Sequence, residues 1–444
     1  MSPPTSDSEP GRVARKPGGF LGTMSVYFLG SVADRALMLL LIPLLTSVLT
    51  QENYGLLGNF TALLTLLVMV VGLKTADYVH LESASGDRVA LAGSITGSVL
   101  VTAASAALVA LPMVLARDRV AAWTDVPALA AMICLVAATA EVTTGMVAGL
   151  LQMAQLPRAF VAYRLGLGLT QALLTVILLL GLRLDWWSQA YARLITGGIA
   201  ATASLVVLAR MGLLRPGLAA ARLRPMLAFS LPVLPQALAL FVLLMGDRLL
   251  LTNLIPGDAG LRASGQFTLA HQLALGIMLL AEGGMRAYKP KYFKAHQHRH
   301  GLDDLARLAR QLSAGYILAA LAYGGVGGLA LAWLAPPRHA PLAWLLPPIS
   351  MGFAFMGIAL LNMCPYNCER RVPRLTALVV ACAVAKLALG VPLIRRFGVH
   401  GASMAMMLGY ALTAAVCWIA RPAISPPRPP AADALNAPPD PAPA

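Results

Sequence analysis

Runs of apolar residues follow one another along nearly the whole chain. Each is about 20 residues long, enough as a helix to cross the roughly 30 Å hydrocarbon core of a bilayer. They fall at 24–49, 56–80, 90–115, 126–150, 158–182 and 189–210, and then at 226–254, 265–288, 312–335, 341–363, 372–396 and 399–421. None alternates polar and apolar residues at period 2, as a barrel strand would, and their Leu, Ala, Val and Gly content suits closely packed helices. The pattern predicts an all-α polytopic membrane protein of about 12 transmembrane helices. Pro43 in the first helix and Pro232 and Pro235 in the seventh would kink them and free backbone carbonyls.

The polar stretches divide the chain. Residues 1–20, rich in Pro, Ser, Gly and Arg, read as a flexible cytoplasmic tail, and 422–444 as a disordered one. The apolar stretch after the first tail carries Asp34 and Arg35 and is too long for an h-region, so it is not expected to be a cleaved signal. Between the tails lie a first six-helix lobe (21–210), a basic cytoplasmic linker (211–225) and a second six-helix lobe (226–421). A weak repeat supports this division. Ala33-Asp34-Arg35-Ala36-Leu37 in the first span matches Gly246-Asp247-Arg248-Leu249-Leu250 in the seventh, and each precedes a turn glycine, Gly55 or Gly265, that opens the next helix. Because each lobe has an even number of spans, the two would be related by an axis along the membrane normal and would flank a central cavity.

Composition agrees. Of 444 residues, 58% are hydrophobic and 12% charged, about half the charged share of a soluble domain, which excludes a soluble multidomain enzyme. The net charge of +15 is read as basic cytoplasmic loops that orient the helices, with both termini inside, and not as a nucleic-acid surface. The heaviest basic stretches are 210–225 and 286–310. The five cysteines are odd in number, and no disulfide is expected; Cys364 and Cys368 lack a second pair or nearby His for a metal. His296-Gln297-His298-Arg299-His300 reads as a solvated stretch facing lipid headgroups. No phosphate-loop motif is present, so no cofactor or ATP hydrolysis is expected.

Ionisable residues inside the spans are costly and need a reason. Asp34 and Asp247 are assigned to interhelical ion pairs or to coupling, and Arg35 and Arg248 to convergence on an anion from the two lobes. Lys386, in mid-span, and Arg164 are further cavity cations, whereas Arg193 is expected to snorkel. Lys74 and Asp77, three apart, are placed to pair on one helix face. Glu141 and Glu282 either neutralise an arginine or titrate a coupling proton, and His271 is expected to be a hydrogen-bonded packing residue. Basic groups slightly outnumber acids, and arginines can bind phosphate bidentately once a cavity is hydrated.

The segment Leu44-Leu45-Thr46-Ser47-Val48-Leu49-Thr50-Gln51-Glu52-Asn53-Tyr54-Gly55, with Val71-Gly72-Leu73 closing the following helix, resembles the opening of polysaccharide and O-antigen flippases. These belong to the multidrug/oligosaccharidyl-lipid/polysaccharide exporter superfamily. Phe229-Ser230-Leu231-Pro232, Gly246 to Leu251 and Ala263-Ser264-Gly265-Gln266-Phe267 resemble the start of that family's second lobe, and Tyr288-Lys289-Pro290-Lys291-Tyr292-Phe293 also fits. The resemblance covers roughly 20–420. It implies a flippase, not an enzyme, that moves a polyprenyl-pyrophosphate-linked oligosaccharide across a bacterial inner membrane for O-antigen or exopolysaccharide synthesis. Arg35 and Arg248, then Lys386 and Arg164, would bind the pyrophosphate, and Glu141 would serve a proton or sodium gradient. Membrane lipids and a glycan polymerase or ligase are the implied partners. A cation-coupled multidrug exporter of the same superfamily, or a non-transporting subunit of an envelope-glycan pathway, remains as an alternative.

Overall fold

The computed structural model describes residues 37, 40–83, 85–298, 302–334, 341–369 and 371–421, and the regular structure among them is helical throughout. The Asp34–Arg35 pair, both tails and the side chains of the His296–His300 tract lie outside the described residues. Helix α1 (40–48) leads into α2 (Gln51–Gly72). The start of α2 is fixed by Thr50, whose hydroxyl accepts from the Asn53 N–H at 3.2 Å, so it begins five residues before the predicted span. It ends where Leu73 and Lys74 turn left-handed, at φ 44° and 60°, and α3 (Thr75–Ser83) is a separate short helix rather than its continuation. The first half continues with α4 (Arg88–Leu115), α5 (Arg117–Thr124), α6 (Ala128–Met153), α7 (Pro157–Val176, with a π turn at Ile177–Gly181) and α8 (Trp187–Arg210).

The second half opens with α9 (Pro216–Ser230), bends through a 3-10 turn at Leu231–Val233 that holds Pro232, and resumes as α10 (Leu234–Leu254). Next come α11 (Asp258–Leu273), α12 (Leu275–His298), α13 (Leu302–Leu334), α14 (Leu342–Cys368), α15 (Val372–Phe397) and α16 (Val399–Ile419). Ten helical stretches among the described residues are long and apolar enough to cross a membrane. They coincide with ten of the twelve predicted spans; the first predicted span lies mostly outside the described residues. The eighth is broken at Ala274. There the Tyr323 hydroxyl donates to the Leu273 carbonyl at 2.6 Å, and the Ile277 N–H turns to the Ala274 carbonyl at 3.0 Å. A side chain inserted into the helical ladder thus makes the break.

The two halves pack together mainly through α2 against α10 and α11, α5 against α10, and α9 against α3 and α4. At the end of the bundle that carries Gln51, α2 and α11 pass backbone to backbone. A Cβ on Gly55 would lie 2.1 Å from the Leu261 carbonyl oxygen, and one on Gly265 would lie 2.1 Å from that of Gln51. The repeat glycines therefore face each other, as small residues do where membrane helices approach closely. Polar contacts ring this crossing. Gln266 donates to Gln51 (3.2 Å), Ser264 to Asn59 (3.0 Å), Asn59 to Thr252 (3.3 Å) and Asn253 to the Trp123 carbonyl (2.7 Å), while Tyr54 meets Gln272 and Arg262 meets Glu52.

At the opposite end the packing between halves runs through α9. This helix, which includes most of the stretch read as a basic linker, lies on α4 and α3: Ser230 donates to the Lys74 carbonyl at 3.3 Å, and the Tyr78 and Phe229 rings sit 5.8 Å apart. Helices α12, α13, α14 and α16 make their principal contacts within the second half. The bundle is thus latched at the Gln51 end and joined at the other end by one bent helix.

Candidate functional site

Two clusters of ionisable residues lie within the spans, one in each half. In the second half, Asp247 and Arg248 stand on α10, Thr268 and His271 on α11, and Lys386 on α15. Lys386 and Asp247 are 1% and 0% exposed, and their salt bridge is 2.7 Å long. The Lys386 ammonium also donates to the Leu243 and Val242 carbonyls, at 2.8 and 3.1 Å, so its three N–H donors all have partners. Gly409 makes room for the lysine stem, since a Cβ there would lie 2.7 Å from Lys386 Cγ. Asp247 Oδ1 has no hydrogen bond among the described residues.

Arg248, 3% exposed, donates from Nε to the Thr268 hydroxyl at 3.1 Å and from Nη2 to His271 Nδ1 at 3.2 Å, while Nη1 meets the Met245 sulfur. A guanidinium offers only donors, so His271 must accept at Nδ1 and carry its proton at Nε2, which has no partner among the described residues. Its ring packs edge-on against Phe353, 4.9 Å away. Two residues expected to reach for an anion, Arg248 and Lys386, are therefore held inside the second half in this conformation. Lys386 lies in a closed ion pair instead of presenting a free charge, and the burial of both partners is what holds it there. Arg35, their expected companion, lies outside the described residues.

The first half is built differently. Glu141 on α6, Arg164 and Gln171 on α7, and Arg193 and Thr196 on α8 line one cavity of about 250 Å³. Ala137, Gly168 and Gly197 line it too, and their small side chains leave the space open. Arg193 does not simply snorkel: its Nη1 donates to Glu141 Oε1 at 2.9 Å. The two side chains are 23% and 44% exposed, so the bridge is open to the surroundings of the bundle. Gln171 Nε2 and Thr196 Oγ1 are shielded, yet neither has a hydrogen-bond partner among the described residues. Orphan polar atoms beside an open volume are the setting in which water or a polar ligand is bound. The cavity thus gathers two guanidiniums, one carboxylate, an amide and the hydroxyls of Thr144 and Thr196.

Two further ion pairs among the described residues are local. Lys74 and Asp77 lie 3.4 Å apart at i,i+3, and Arg286 and Glu282 3.8 Å apart at i,i+4. The five cysteines are free. No group of three or more metal-ligating side chains is present among the described residues. The Glu141–Arg193 partnership was not legible in the sequence, because 52 residues separate its members and only the packing of α6 on α8 joins them.

No protein-family model matches the sequence, and no curated protein matches it. Solved structures do match over most of the chain. An inward-facing multidrug resistance MATE family transporter of the MOP superfamily superposes with a TM-score of 0.67 at 16% identity, covering 89% of this chain and 93% of that one. A mutant of the Vibrio cholerae MATE transporter VcmN gives 0.61 at 15% identity, with 90% and 95% covered. A MOP superfamily transporter from Pyrococcus furiosus Vc1, for which reversed polarity of the binding pocket is described, gives 0.55 at 14% identity, with 89% and 91% covered. The chain shares the fold of these transporters.

Proposed function

We propose that the chain is a multi-pass membrane transporter that works by alternating access, and that its first-half cavity receives the anionic head of an amphipathic solute. The observation that carries this reading is the cavity's charge: Arg164 and Arg193 share it with the single carboxylate of Glu141. An anionic head drawn into the cavity meets two guanidiniums against a single carboxylate. Polar atoms without partners among the described residues suit a head group that must shed bulk water, and the exposed apolar flank of α7 (Leu169, Leu173, Ile177) suits a tail that stays in lipid.

Orientation follows from the basic residues. Arg210, Arg215, Arg222, Arg224, Arg286, Lys289, Lys291, Arg307 and Arg310 belong to the end opposite Gln51, which the positive-inside rule makes cytoplasmic. The latched Gln51 end is then external, and the conformation is closed to the outside. Opening would separate α2 from α11 at the glycine crossing while the bend at Leu231–Val233 takes up the motion. Glu141, bridged to Arg193 beside the open cavity, is the acid we assign to coupling transport to an ion gradient.

Within this reading, a lipid-linked oligosaccharide carried across a bacterial inner membrane is the solute whose pyrophosphate matches the cavity's charge. Export of amphipathic drugs is the competing reading, favoured by the multidrug transporters that share the fold. Depletion of the protein from its native cell, followed by extraction of polyprenyl-linked glycans, separates the two. Accumulation of a complete lipid-linked glycan with loss of surface polymer is the expected result. Unchanged glycan lipids with new sensitivity to cationic dyes would overturn it in favour of drug export.

A further inference from the structure

A second cavity lies in the other half of the molecule. Helices α13 and α16 both pack on α14, and between them, with α12 alongside, is a volume of about 620 Å³, more than twice that of the first-half cavity. One part of its wall is apolar, with Phe355, Ile358, Ala411 and Ala415; the other carries Arg310 and Arg421. No carboxylate lines it among the described residues. Arg310 has no hydrogen bond or ion pair among the described residues. Arg421 donates to the Asn362 side-chain oxygen Oδ1, and Asn362 Nδ2 is itself fixed by donation to the Ala414 backbone carbonyl at 2.9 Å.

Position in the membrane follows from the flanks. Leu318, Leu321, Met404 and Leu408, on the same two helices, are exposed apolar side chains and face hydrocarbon. Exposed Lys291 and Arg307 lie on the other side, in water. Trp418 at the rim is exposed and Tyr288 in the wall is buried, aromatic residues of the kind that stand at headgroup level. Two unneutralised guanidiniums at the edge of an apolar cleft call for an anion that carries its own apolar tail.

We infer that this cleft is a binding site for an anionic glycerophospholipid of the cytoplasmic leaflet. Its phosphodiester lies between Arg310 and Arg421, and an acyl chain runs along Ala411 and Ala415. The wall's apolar half disfavours free phosphate, and the paired arginines disfavour a cationic amphiphile. The site is in the opposite half from the transport cavity, so its failure leaves the transport proposal standing.

The test is native mass spectrometry of the purified full chain in detergent, titrated separately with phosphatidylglycerol, phosphatidylcholine, inorganic phosphate and a polyprenyl phosphate. Phosphatidylglycerol is expected to be retained in preference to the other three. Arg310→Gln should weaken it by about tenfold, the loss of one charge-assisted contact. Arg307→Gln, outside the cleft and paired with Asp304 at 3.8 Å, should leave binding unchanged. Ala415→Phe, which fills the cleft without altering charge, should abolish retention and covers the case in which Arg310→Gln folds poorly. Equal retention of phosphatidylglycerol and phosphatidylcholine, or wild-type binding by both cleft variants, overturns the site. Tighter Arg310-dependent binding of the polyprenyl phosphate overturns the phospholipid assignment and makes the cleft an entry port for a carrier lipid.

Discussion

Two salt bridges of nearly equal length, 2.9 Å between Arg193 and Glu141 and 2.7 Å between Lys386 and Asp247, sit in environments that give them opposite uses. The first borders an open cavity and shares it with a further arginine. The second is sealed among α10, α15 and α16, and its lysine has two carbonyl oxygens as additional acceptors. A bridge in contact with water exchanges partners cheaply, because solvent takes up whichever charge is released. A sealed bridge does not, since breaking it leaves a bare charge in a dry interior. On the proposed function, exchange belongs to the first-half bridge and fixed framework to the second.

That contrast can be broken at five places. Lys386→Met should have the largest effect, a loss of about 3–5 kcal/mol of stability, because it strands Asp247. The double variant Asp247→Leu with Lys386→Met should recover most of it, and thermal unfolding in detergent checks both. If the single variant is as stable as the parent, the sealed bridge is not framework. Next, Gly265→Val should push α2 off α11 at a cost of about 1–3 kcal/mol in the latched conformation alone. It should therefore shift the population toward a state open at the Gln51 end, read by cysteine labelling there, while leaving the unfolding temperature nearly unmoved.

Glu141→Gln belongs third by stability and first by function. It should change stability by about 1 kcal/mol or less, since the bridge is half exposed, yet it should stop ion-coupled transport in proteoliposomes. Arg164→Gln should weaken binding of an anionic amphiphile and leave coupling intact, which distinguishes solute contact from ion contact. The smallest effect is expected for Lys74→Ala. Its bridge to Asp77 at 3.4 Å is solvent-exposed on a surface turn, and exposed i,i+3 pairs contribute about 0.5 kcal/mol.

The helices were largely legible because apolar run length alone decides where a chain can span a bilayer. Their interruptions were not. The break at Ala274 depends on the hydroxyl of Tyr323, which reaches Leu273 from 50 residues away, and the end of α2 depends on left-handed turns at Leu73 and Lys74. Glycines 55 and 265 stood out in the sequence as a repeat that opens helices; their mutual packing required the two halves to be brought together. The candidate site divided in the same way. The residue types were readable, since each charge in an apolar run stands out. Their partners were not, because Asp247 finds Lys386 across 139 residues through helix packing alone. Arg248 illustrates the limit: its sequence context suggested a free cavity cation, while Thr268, His271 and Met245 hold its three nitrogens.

On the proposed transport cycle the halves rock about the bent α9–α10 connection, latched at the Gln51 end in the state described. Distances between spin labels in liposomes follow that motion. On a cysteine-free background, one pair would sit at Arg117 and Asp258, near the latched end, and the other at Ala154 and Asn367, at the opposite end; all four positions are exposed. Lengthening of the first distance with shortening of the second, on addition of a polyprenyl-pyrophosphate glycan or an ion gradient, is the predicted result. Distances that stay fixed at both ends under every condition would contradict alternating access in this protein.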